Sequence, residues 1–181
     1  KPIPSFGTVN EIDIALSLNH PVKELIWTVQ HSENYTEGPG YNDWFNYSSN
    51  GSGKQGPDSR DLLGTAQLKL NNHDRWTPER KASYFRLVQP ANHHTRVPSK
   101  HIYCYSFALN PEDYQPSGTC NFSRIDSAKL VFRNANVSTL PNASAIQPAS
   151  WDSASGRYEV YAWSVNQLKI SGGLGGLQYA N

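Results

Sequence analysis

Residues 102–109, IYCYSFAL, constrain the fold more than any other stretch. Aromatic and β-branched residues dominate it, and alternation sets Tyr103, Tyr105, Phe107 and Leu109 on one face of a strand. Ile102, Cys104, Ser106 and Ala108 take the other face, and each is small or apolar enough to be covered. A strand with two coverable faces belongs inside a sandwich rather than at a wet edge. Asn110-Pro111 ends it, because proline has no N–H with which to extend a ladder. Pro116, Ser117 and Gly118 supply a second turn, and Arg124 opens the next strand.

The rest of the chain follows the same period. EIDIALSL at 11–18 points Ile12, Ile14, Leu16 and Leu18 inward, and His20-Pro21 breaks it. Residues 22–30 make a second strand with Leu25, Trp27 and Val29 on one face, and 64–70 a third with Ala66, Leu68 and Leu70 inward. LNNHDRW at 70–76 reads as a turn. Thr77 and Pro78 suit the N-cap and first position of a short helix beginning at Glu79 and Arg80. Pro90, Pro98 and the polar residues between them read as a loop. Residues 124–132 form a strand with Ile125, Ala128, Leu130 and Phe132 inside, and 158–170 a final strand interrupted near Asn166. Gly172 to Gly176 marks a flexible end. Two segments, 31–60 and 134–156, are loop-like; the first holds an aromatic cluster, Tyr41, Trp44, Phe45 and Tyr47. Seven or eight antiparallel strands with long connections, one short helix and no βαβ spacing give an all-β two-sheet sandwich, a jelly roll or a relative of it.

Composition narrows the function classes. The 181 residues suit one domain with a real core, and charged residues are only 17%. A net charge of +1 gives no field for direct nucleic-acid binding, and no apolar run is long enough for membrane insertion. The chain begins with Lys1 and contains no methionine, so a fragment or processed chain is expected. Cys104 and Cys120 are too few for a disulfide scaffold and are read as free thiols.

No catalytic constellation stands out, and no cofactor is expected. His93, His94, His101 and Cys104 match no standard zinc spacing, and adjacent histidines point apart, so no metal site is assigned. Glu112 and Asp113 read as turn or salt-bridge residues. GGLGG lacks the lysine, the Ser/Thr and the helix of a phosphate loop, and no GxSxG elbow occurs. Arg124 and Asp126 share a strand face and suit a structural ion pair or a contact with a neighbouring subunit rather than catalysis. A cupin-like enzyme would need a His/Glu metal set that the sequence does not display. Six N-x-S/T sequons lie at Asn34, Asn46, Asn50, Asn121, Asn136 and Asn142; the loop ones are candidate glycan acceptors, and Asn121 is the least credible.

One stretch also resembles a known family. YSFALNPEDYQPSGTCNFSRID is similar to the signature segment of major capsid proteins from large icosahedral double-stranded DNA viruses of the iridovirus, phycodnavirus and marseillevirus kind. The signature positions are Tyr105, Phe107, Asn110, Pro111, Gln115, Pro116, Ser117, Gly118, Asn121, Ser123, Arg124 and Asp126. NHPVKELIW at 19–27, LNNHDRW, residues 84–109 and GGLGGL at 172–177 agree in the same order. The resemblance implies a jelly roll, the second of two in the family, with the first absent from this chain. It implies a structural protein and no enzyme: homotrimeric, pseudo-hexagonal capsomers tiling a virion's outer shell, assembled in host cytoplasm. Partners would be copies of itself, the first jelly roll, and minor capsid and penton proteins. A carbohydrate-binding jelly roll, stacking sugars on the 41–47 aromatics, is the alternative.

Overall fold

The structure is a computed structural model that describes residues 2–3, 11–35, 43–48, 61–134 and 156–179. Its strands, in chain order, begin with β1 (Pro2–Ile3), β2 (Glu11–Ala15), β3 (Pro21–His31), β4 (Leu63–Leu70), β5 (His73–Asp74) and β6 (Arg80–Lys81). They continue with β7 (Ile102–Ser106), β8 (Cys120–Asn121), β9 (Ala128–Asn134), β10 (Gly156–Ser164), β11 (Leu168–Ser171) and β12 (Leu174–Leu177). The helices are α1 (Ser32–Tyr35) and α2 (Gln89–His93), the latter continuing a π-helical turn at Tyr84–Val88.

Two antiparallel sheets face each other. One runs β1-β10-β3-β7 with β8 also on β3; the other runs β2-β9-β4-β5 with β6 also on β4. The longer strands β2, β3, β4, β7, β9 and β10 fall alternately in the second and first sheet. Each connection between them therefore crosses the sandwich, as a jelly roll requires, and the jelly-roll expectation holds.

The organising strand is β3 rather than 102–109. It lies between β10 on one side and β7 and β8 on the other, and is buried on both faces along nearly its whole length. Trp27 fills the centre, with the rings of Phe85 and Phe132 at 5.0 and 5.8 Å and that of Tyr103 stacked at 6.3 Å. Phe132 in turn stacks on Tyr158 at 4.5 Å. Leu25, Val29, Ala66, Leu68 and Leu130 complete this layer. Each fully buried large apolar side chain contributes about 1.5–3 kcal/mol. Ile12, Ala66, Leu68, Ala128, Leu130 and Phe132 all point inward as their alternation predicts.

Several boundaries differ from the sequence reading. β7 stops at Ser106 because the N–H groups of Phe107 and Ala108 turn onto the Lys23 carbonyl, at 2.8 and 3.3 Å, and Leu109 is left 72% exposed. The Thr77-Pro78 bond is cis, residues 80–81 join a sheet, and the helix begins only after them. Pro90 lies inside that helix, not in a loop. The π turn accommodates it: Gln89 N–H bonds Tyr84 O, five residues back, and the next carbonyl, Phe85 O, is approached at 3.8 Å by the Cys104 thiol instead of an N–H that Pro90 lacks. Residues 122–124 form a 3₁₀ turn, so the strand expected from 124 starts at Ala128. The glycine-rich end is a hairpin: β11 pairs β12 through Gly172 and Gly173, whose φ values of 59° and 80° suit a type I′ turn that only glycine or Asn/Asp enters cheaply. No described helix is long and apolar enough to cross a membrane.

Candidate functional site

The segment 105–126 is a looped hub on which residues 19–27, 70–76 and 84–104 converge. Its loop is pinned by Ser117, whose Oγ accepts from Asn110 N–H at 2.9 Å and donates to Asn110 O at 3.1 Å. Gly118 has φ +150°, and a Cβ there would stand 2.8 Å from Phe107 O, so the two ends of the loop approach as only glycine permits. Pro111 is buried, while Gln115 and Pro116 are exposed at the loop's outer bend. From 19–27, the buried Lys23 reaches the loop: its Nζ donates to Asp113 O at 2.6 Å and lies 5.0 Å from the Trp163 ring centroid. His20, at φ 70°, donates its N–H to Ser123 Oγ at 2.8 Å, and its carbonyl accepts from Phe122 N–H at 3.2 Å. Asn121 caps the 3₁₀ turn, its Oδ1 accepting from Ser123 N–H at 3.0 Å.

The LNNHDRW turn clamps the far end. Asn71, in a left-handed conformation at φ 50°, accepts on Oδ1 from the N–H groups of Asp126 and Ser127 at 3.0 and 3.1 Å, and donates its own N–H to Ser127 O. Trp76 packs 4.6 Å from Tyr105, and Tyr105 meets Phe107 edge-on at 5.2 Å. Burial raises the Tyr105 phenol above its ordinary pKa, and Arg75 partly opposes that. Arg124 and Asp126 are both exposed, and among the described residues no ion pair joins them, so of the two expected roles the ion pair is not formed within the chain. The hub is a structural joint, made chiefly of side-chain-to-backbone hydrogen bonds and ring contacts.

The remaining sequence candidates divide. Cys104 and Cys120 are both free thiols, as expected, and burial raises the pKa of each. Glu112 accepts from Thr95 N–H at 3.0 Å and pairs with His94 Nδ1 at 3.3 Å, so it is the salt-bridge residue foreseen. Of His93, His94, His101 and Cys104, the fold brings together only His94 and Cys104, and joins to them Glu24, which sequence reasoning missed. His93 instead turns Nδ1 to Leu109 O at 2.9 Å. Among the sequons, Asn34 and Asn46 are fully buried: Asn34 Nδ2 donates to Asn46 O, and Asn46 Oδ1 accepts from Ser48. A glycan at either would have to displace this packing. Asn50, Asn136 and Asn142 lie outside the described residues, as does Tyr41 of the aromatic cluster. Trp44 and Phe45 are exposed and Tyr47 is half-buried.

Fold and hub together define a class: an antiparallel jelly-roll wall whose most distinctive residues serve its own joints. Comparison with known proteins makes it particular. The family model for the large eukaryotic DNA virus major capsid protein matches residues 5–176. The chain is 34% identical to the major capsid protein of Paramecium bursaria Chlorella virus 1, with 98% of this chain and 45% of that one covered. It is 49% identical to the major capsid protein of Phaeocystis pouchetii virus over 64% of this chain and 20% of the relative. The PBCV-1 virus capsid, in its quasi-atomic model, superposes with a TM-score of 0.70 at 34% identity, covering 99% of this chain and 48% of that one. The chain belongs to the major capsid protein family of large eukaryotic DNA viruses. It spans about half the length of the solved capsid chain, and less than half of these curated relatives. Nothing in these comparisons supports the carbohydrate-binding alternative.

Proposed function

We propose that this chain is one jelly roll of a two-jelly-roll subunit that builds the outer shell of a virion, working as a structural part and not as an enzyme. Three subunits form a pseudo-hexagonal capsomer, and capsomers tile an icosahedral shell assembled in the host cytoplasm. The partners are further copies, the companion jelly roll, and minor capsid and penton proteins. Besides family membership, one observation supports self-association. Tyr161 and Trp163 on β10 and Leu168, Ile170, Leu174 and Leu177 on the last hairpin are all exposed, between 45% and 79%. Apolar side chains clustered at one end of a chain mark an interface.

Light scattering on gently purified native material tests the reading. A trimer of chains about twice this length is expected, and a stable monomer of this length would overturn it. We further propose that any glycan sits at Asn50, Asn136 or Asn142. An intact mass equal to the bare sequence would remove them.

A further inference from the structure

Glu24 presents a physical problem. It sits on the central strand with no solvent exposure, and an isolated carboxylate in such a place is expensive. Register explains its neighbours: Glu24 pairs with Ser106 and Ile26 with Cys104 on adjacent strands, so Glu24 and Cys104 stand diagonally on one sheet face. The end of α2 lays His94 over them. His94 Nε2 lies 2.6 Å from Glu24 Oε1, while Glu24 Oε2 is buried with no hydrogen-bond partner. Cys104 Sγ lies 3.8 Å from Phe85 O on one side and beside the Glu24 carboxylate on the other. Carboxylate oxygen, imidazole nitrogen and sulfur all lie within 4.8 Å of one another.

The outer side of His94 is arranged as a metal ligand's would be. Its Nδ1 faces Glu112 Oε1 at 3.3 Å, and Glu112 is held by Thr95 N–H at 3.0 Å and Thr95 Oγ1 at 3.5 Å. A carboxylate on the remote nitrogen keeps the proton there and turns the other nitrogen's lone pair inward, the usual second layer around a metal-bound histidine. A carboxylate oxygen thus faces each ring nitrogen of His94, Glu24 Oε1 at Nε2 and Glu112 Oε1 at Nδ1.

We propose that Glu24, His94 and Cys104 bind a divalent transition metal ion of the zinc class, with Glu112 positioning His94. A sulfur, nitrogen and oxygen set suits zinc, and two anionic ligands neutralise its charge in a buried place. On binding, the Cys104 thiol proton and the proton shared by His94 Nε2 and Glu24 Oε1 both leave to solvent as the sulfur, nitrogen and oxygen bonds to the metal form. The His94–Glu24 contact opens from a hydrogen bond to roughly 3.3 Å, as tetrahedral bonds of about 2 Å require. The ion fastens α2 and the 112 loop to the central sheet.

Cobalt(II) is the probe, added to the metal-stripped purified protein. One equivalent should bind with a thiolate-to-cobalt charge-transfer band, and one equivalent of zinc should bleach it. Cys104→Ser should abolish the band and Cys120→Ser should keep it, with far-ultraviolet circular dichroism unchanged in both. Glu112→Gln, altered at the exposed second layer, should weaken binding about 10–100-fold. A chelator should lower the melting temperature of the wild type but not of Cys104→Ser. Absence of the band in the wild type, its survival in Cys104→Ser, or undiminished affinity in Glu112→Gln would overturn the inference.

Discussion

At the residue scale, the hub shows how single side chains hold distant segments. Asn71 does two things at once: it takes a left-handed backbone conformation and its Oδ1 receives two N–H groups some 55 residues away. Asn71→Gly keeps the first and loses the second, at an expected cost of about 1 kcal/mol. Asn71→Ala loses both and should cost about 2–3 kcal/mol, since left-handed backbone adds about 1–2 for a residue with a Cβ. Urea midpoints separate the two; equal costs would refute a backbone role. Tyr103 and Tyr158 set the alkaline limit. Burial raises both phenols, and at Tyr103 the neighbouring Asp61 carboxylate adds to the rise. Their folded pKa values lie above the ordinary 10.0, so the stability they lend is whole below that pH and is lost as pH rises through the folded values. Unfolding free energy against pH should begin to fall near pH 10. A flat profile to pH 12 would contradict it, as would tyrosinate absorbance preceding unfolding at these two positions.

At the scale of the element, the final hairpin is informative because, among the described strands, β11 and β12 pair only with each other and their side chains are exposed. Leu168 stands opposite Leu177 and Ile170 opposite Gly175, so one ribbon face carries three apolar side chains. The double change Leu168→Ser with Ile170→Ser should leave unfolding free energy within about 0.5 kcal/mol of the parent, as expected of exposed positions. The same change should lower the associated fraction seen by light scattering. A large loss of stability would mean instead that the hairpin belongs to the monomer's own core.

At the scale of the whole molecule, the alternation of strands between sheets means that neighbours in a sheet are distant in sequence: β2 pairs β9, and β3 pairs β10. Closing such loops is slow, so refolding should take milliseconds to seconds, as for other sandwiches, when followed by Trp27 fluorescence in stopped flow. Microsecond refolding would argue against this topology. The same interleaving ties each of the two facing sheets together through strands far apart in sequence, so neither can peel away as a local hairpin.

The sequence by itself determined the class of fold, most of the inward faces and the stops between strands. These are local properties: a period of two, an N–H missing from proline and positive φ at glycine act wherever they occur. Ala66, Leu68, Leu130 and Phe132 were legible for that reason. The position of the helix was not, because an edge pairing at Arg80–Lys81 outcompeted the propensity signals at 77–80 and a π turn absorbed Pro90. Nor was the burial of Asn34 and Asn46, whose sequons look identical to exposed ones. The centrality of β3 and the meeting of Glu24 with a histidine 70 residues away were decided by register and chain crossing. Those depend on which strands pair, and pairing is a property of the whole core and not of any stretch within it.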